Sequence, residues 1–141
     1  MAKNYKILDQ YYWQKWNALG FVEQSDGKNF HKHSIKMSHS EFGEVELALE
    51  YERSHPEYGI YYGCIMKPCN EDLKRIIWDD YKACVYPNNP RITMDDVFLP
   101  DCEKADWLFW IRVNEDSLAE DVKRQFELLK SIFYNNGFRE V

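Results

Sequence analysis

The sequence predicts a single α+β domain over residues 1–141, and three observations lead there. Apolar residues recur at helical spacing in three separated stretches, near residues 5–19, 70–84 and 117–136. Runs at 29–37, 44–52 and 58–67 instead alternate with a period of two, and 107–113 is a short, continuous apolar run. The order α-β-β-β-α-β-α therefore predicts an antiparallel or mixed sheet of about four strands, with three helices on one face.

The first helix takes its buried stripe from Tyr5, Leu8, Tyr12, Trp16 and Leu19. Gly20 stands where a left-handed residue ends a helix, and Phe21 is expected to fold back onto it. Ser25-Asp26-Gly27 makes a turn into the first strand. The next strand reads Glu44-Val45-Glu46-Leu47-Ala48-Leu49-Glu50-Tyr51-Glu52. Alternation puts Val45, Leu47, Leu49 and Tyr51 on one face and Glu44, Glu46, Glu50 and Glu52 on the other. A hairpin of even register would set Lys36 opposite Glu44 and Lys28 near Glu52, relieving repulsion among the four carboxylates. In 58–67 both faces are apolar or small, which predicts a central strand covered on both sides by helices or side chains.

Asn70 is the expected N-cap of the second helix, with Glu71 and Asp72 in its first turn. Its predicted buried stripe is Leu73, Ile76, Ile77, Tyr81 and Cys84. Residues 87–105 hold three prolines and read as a long irregular loop. Ser117-Leu118-Ala119-Glu120 has capping-box spacing and opens the last helix. Gly137 ends that helix as Gly20 ends the first, with Phe138 folding back.

A chain of 141 residues with 16% aromatic content can build a core without covalent staples. The four cysteines form no C-x-x-C pair, the first residues are polar, and no apolar run is long enough to span a membrane. These features predict a cytoplasmic protein with reduced thiols and no membrane association. The net charge is −6, concentrated in residues 41–121, and no cluster of Lys and Arg is available to neutralise phosphates. Direct nucleic-acid binding is excluded on that ground, and a basic protein partner is favoured.

The candidate chemistry is sparse. His31 and His33 lie two apart on one strand face, a spacing that can supply two ligands to one ion, but no third ligand is near in sequence. Cys64 lies in the two-faced apolar strand, which predicts a buried, inert thiol. No Gly-x-Ser-x-Gly and no phosphate-binding loop occurs. Tyr58, Tyr61, Tyr62, Trp107, Phe109 and Trp110 are more large rings than one side of a small sheet hides, and beside acidic residues they suit an interface.

The run Glu50-Tyr51-Glu52, then Tyr58-Gly59-Ile60-Tyr61-Tyr62-Gly63, then Trp78-Asp79-Asp80-Tyr81 and a long final helix resembles the C-terminal part of some bacterial PD-(D/E)XK-nuclease-like proteins. The similarity covers residues 40–136. The nuclease motif itself has no counterpart: the acidic strand carries no E-x-K, and the nearby D-x-K, Asp26-Gly27-Lys28, sits in a turn. The resemblance implies an accessory domain and transfers no catalytic residue.

The sequence thus predicts a non-enzymatic, acidic protein-binding module, of the inhibitor or immunity type and of bacterial or phage origin, with no cofactor. Its expected binding surface combines Glu44, Glu46, Glu50 and Glu52 with Asp79, Asp80, Asp95 and Asp96. The alternatives are a metal-dependent hydrolase or nuclease-like enzyme using the Glu strand with His31 and His33, and a small-ligand binder. The last would have a Tyr- and Trp-lined pocket between the sheet and the 87–105 loop.

Overall fold

A computed structural model describes residues 4–20, 24–25, 29–85, 97–113 and 117–141. Among them are α1 (Tyr5–Ala18), β1 (Gln24–Ser25), β2 (Phe30–His39), β3 (Gly43–Glu52), a 3-10 turn (Pro56–Tyr58), β4 (Ile60–Ile65), α2 (Glu71–Val85), β5 (Val97–Phe98), β6 (Trp107–Arg112), α3 (Ala119–Asn135) and β7 (Arg139–Glu140). The strands form one antiparallel sheet in the order β1-β2-β3-β4-β6-β5, with β7 also pairing to β2. The four long strands are those expected from sequence; β1, β5 and β7 are two-residue additions at the sheet's edges.

The three helices pack on one face. Trp13 and Trp16 of α1 lie over His31, with ring centroids 4.6 and 6.3 Å away. Phe126 of α3 meets His33 at 5.6 Å, and Tyr81 of α2 meets Phe109 at 5.7 Å. This face buries Val45, Leu47, Leu49 and Tyr51, as strand alternation requires. A polar cluster is enclosed within it: the Tyr62 hydroxyl donates to Gln125 Oε1 at 2.8 Å and lies 2.5 Å from the Tyr81 hydroxyl, so the buried groups satisfy one another.

Several local expectations shift. Lys36 lies opposite Glu46 rather than Glu44, and Phe30 rather than Lys28 lies opposite Glu52. The strands extend to His39 and Gly43, so the connecting turn is shorter than the sequence suggests. His39 Nδ1 accepts the backbone N–H groups of Glu41 and Phe42 at 3.0 and 3.3 Å and stabilises this turn. A two-residue shift keeps every side chain on its predicted face. Tyr5, Ile76 and Cys84 are exposed, and the buried stripe of α2 is Leu73, Ile77, Trp78 and Tyr81. The capping box of α3 does not form. Leu118 occupies the N-cap, leaving Ser117 one residue too early for its hydroxyl to reach the first-turn N–H groups. Phe21 and Lys28 lie outside the described residues.

The cysteines also depart from expectation. Cys69, just before α2, and Cys102 are joined as a disulfide, with Cα atoms 5.1 Å apart. They are 33 residues apart in sequence, so no local motif announces the pair. The segment around Cys102 is also tied to the start of α2 by Lys74 Nζ donating to Pro100 O at 2.5 Å and by the Cys102 N–H donating to Glu71 Oε1 at 3.2 Å. Cys64 is fully buried, and burial pushes its thiol well above the usual cysteine range. Among the described residues no helix is long and apolar enough to cross a membrane.

Candidate binding groove on the helix-free face

Because the helices share one side, the other face of the sheet has no helix over it among the described residues. Alternation places two different surfaces there. Strands β2 and β3 supply charge: Lys32 Nζ forms an ion pair with Glu46 and lies 3.8 Å from Glu50, while Lys36 Nζ is 4.0 Å from Glu44. Strands β4, β6 and β5 supply rings: Tyr61, Trp107, Trp110 and Phe98.

Residues 107 and 110 are separated by an odd number of positions, so a regular strand would point them to opposite faces. A register irregularity between Cys64 and Ile65 pairs Ile65 with Trp107 after Cys64 pairs with Phe109. This bulge brings Trp107 to Trp110, with centroids 5.9 Å apart and planes at 70°. Phe98 stacks on Trp110 at 5.3 Å and 12°, and Tyr61 meets Trp107 at 6.1 Å and 62°. Gly63 lies on β4 between Tyr61 and Ile65. A Cβ there would come 2.1 Å from the Phe109 carbonyl oxygen and 2.8 Å from Trp110 Cα, so only glycine permits this approach of β4 and β6.

Where the two surfaces meet there is a groove of about 470 Å³. Its walls are Tyr61, Trp107, Trp110 and Phe98, with Ala105 and Tyr58 at the sides. Among the described residues three carboxylates, Glu50, Glu52 and Glu57, line it together with a single cation, Arg112. Glu50 is buried, which pushes its carboxyl above the usual glutamate range, although the Tyr61 hydroxyl and Lys32 oppose the shift. The Tyr61 hydroxyl is in turn raised by burial and by Glu50. Glu52 accepts from the Ser54 hydroxyl at 3.0 Å, and Glu57 lies 3.1 Å from His55 Nδ1.

The structure brings only part of the expected acidic surface together. Glu44, Glu46, Glu50 and Glu52 share the helix-free face, but only Glu50 and Glu52 reach the groove. Asp79 and Asp80 are on α2, across the sheet from the glutamates, where they pair with Lys82 at 3.4 Å and Asn136 at 2.9 Å. They cannot belong to the same contact surface, because the helix packs its apolar stripe on the opposite side. Asp95 and Asp96 lie outside the described residues. His31 and His33 sit under α1 and α3, where burial holds the His33 imidazole below its ordinary value. No group of three or more His, Cys, Asp or Glu side chains converges as a metal site among the described residues.

Sequence reasoning singled out the tyrosines and tryptophans but not Phe98, Glu57 or Arg112. A signal existed for the close approach of β4 and β6 in Gly63, a glycine inside an apolar strand. Phe98 and Glu57 lie outside the long strands, and nothing in their sequence context marks them. Comparisons with protein-family models, with curated proteins and with solved structures found no match to this chain.

Proposed function

We propose that this chain is a non-catalytic binding module that takes a basic segment of a partner protein into the groove on its helix-free face. The observation that carries this reading is the juxtaposition, among the described residues, of five aromatic rings with three carboxylates and one arginine in a single cleft. Aromatic faces attract cations through their quadrupole, and carboxylates add charge-assisted hydrogen bonds. The neighbouring glutamates Glu44 and Glu46 are ion-paired with Lys36 and Lys32, so the charge that steers a basic partner is that of the cleft's own carboxylates. An inhibitor or immunity-type protein is the biological role that suits this size and acidity.

The test is titration of the protein with short basic and acidic peptides, followed by tryptophan fluorescence at low and high salt. Basic peptides should quench Trp107 and Trp110, bind more weakly as salt rises, and lose affinity in Glu52→Lys. Equal affinity for acidic peptides, or no effect of the reversal, would exclude the groove as a basic-segment site.

A further inference from the structure

We infer that the group selected by the groove is the guanidinium of an arginine side chain, in preference to a lysine ammonium. This inference rests on the reading of the groove as a basic-segment site and specifies the chemistry recognised there.

The rings present flat surfaces rather than a collar of acceptors. Phe98 and Trp110 are parallel within 12°, and Trp107 stands at 70° to Trp110. A guanidinium is planar and weakly hydrated, so it can stack on such a surface while its edge donates to a carboxylate. An ammonium is a compact, strongly hydrated point charge that needs acceptors in several directions. The acceptors available are few: the Glu50 carboxylate is buried and faces Lys32 at 3.8 Å. Glu57 lies 3.1 Å from His55 Nδ1, which leaves Glu52, on the same strand face as Glu50 and two residues on, as the carboxylate for a ligand at the aromatic wall.

The chain builds this combination once already. On the other face of the sheet, the Arg53 guanidinium lies 4.3 Å from the centroid of the Trp13 ring. It also donates to both oxygens of Asp9, at 2.9 to 3.3 Å. One tryptophan face and one carboxylate are therefore enough to seat a guanidinium in this protein. The groove offers the same two elements, and its described lining sets three carboxylates against the single guanidinium of Arg112, a balance that favours one further cation.

The experiment compares blocked peptides of one length in which the variable positions are all arginine, all lysine, all trimethyllysine or all citrulline, with binding measured by calorimetry. Arginine should bind about tenfold tighter than lysine, and the uncharged citrulline should not bind detectably. Trp110→Ala should reduce the arginine preference to about parity, and Glu52→Gln should weaken arginine more than lysine. Glu52 is a half-exposed rim residue, so its variant tests the inference even if Trp110→Ala fails to fold. Lysine or trimethyllysine binding as well as arginine would overturn the inference while leaving the basic-segment reading intact. Binding by none of the cationic peptides would overturn both.

Discussion

Tyr61 and Glu50 face one another as register partners across the β3–β4 pair, and both line the groove. This pair joins the charged half of the helix-free face to its aromatic half.

Burial raises the Glu50 carboxyl above its unfolded value, so between those values the folded protein binds more protons than the unfolded chain. Stability contributed by this group is therefore present below the unfolded value and is lost as pH rises through the folded one. Glu50→Gln removes the titration. Its melting temperature relative to wild type should rise progressively as pH increases above the ordinary glutamate range. A difference that does not change with pH would show that Glu50 ionises without penalty.

The Asp9 carboxylate behaves in the opposite sense. Burial raises it, but hydrogen bonds from Arg53 and Tyr51 more than offset this and hold it below the ordinary aspartate range. The Tyr51 hydroxyl donates to Asp9 Oδ1 at 2.6 Å, which ties α1 to β3. Asp9→Asn should cost about 1–2 kcal/mol in urea unfolding at neutral pH, since the group is only partly shielded from water. The stabilisation is present above the unfolded value and lost as pH falls through the folded one, so the two proteins should converge in acid. A constant gap down to about pH 2 would assign the loss to packing instead.

Gly63→Ala places a methyl group against the backbone of β6, not against a movable side-chain end. The variant should lose about 2–3 kcal/mol in urea unfolding, with β4 and β6 forced apart. It should also change the emission of Trp107 and Trp110, whose separation depends on that approach. An unchanged unfolding midpoint would show that the strands relax at little cost.

The Cys69–Cys102 bond closes a loop of 33 residues in sequence separation. In the chain-entropy model a loop of this length stabilises by about 3–4 kcal/mol. Thiol titration of the oxidised, unfolded protein should find Cys64 and Cys84 reactive and the other pair protected. Cys102→Ser should lower the melting temperature to that of the reduced wild type. Four reactive thiols without added reductant would show that the bond does not form.

Much of the architecture was legible in the sequence because it depends on local periodicity. The alternation of Val45, Leu47, Leu49 and Tyr51 with Glu44, Glu46, Glu50 and Glu52 assigned each strand face, and Asn70 marked the start of α2 by a cap that forms at 3.0 Å from the Leu73 N–H. Gly20 and Gly137 marked helix ends, and both take the left-handed conformation that favours glycine. The α3 start was misread because Ser117 has the right spacing but the helix begins one residue later than that spacing requires.

By itself, then, the sequence determined the kind and order of the main elements and the side of each strand that meets the core, since these follow from backbone geometry over a few residues. Only the tertiary structure decided that the glutamates and Asp79 and Asp80 lie on opposite sides of the sheet, because that depends on which face α2 covers. The same holds for the bulge that turns Trp107 toward Trp110, for Phe98 stacking beside them, and for the bond between Cys69 and Cys102. Each is a contact between segments far apart in the chain, set by strand pairing and packing rather than by the pattern of neighbouring residues.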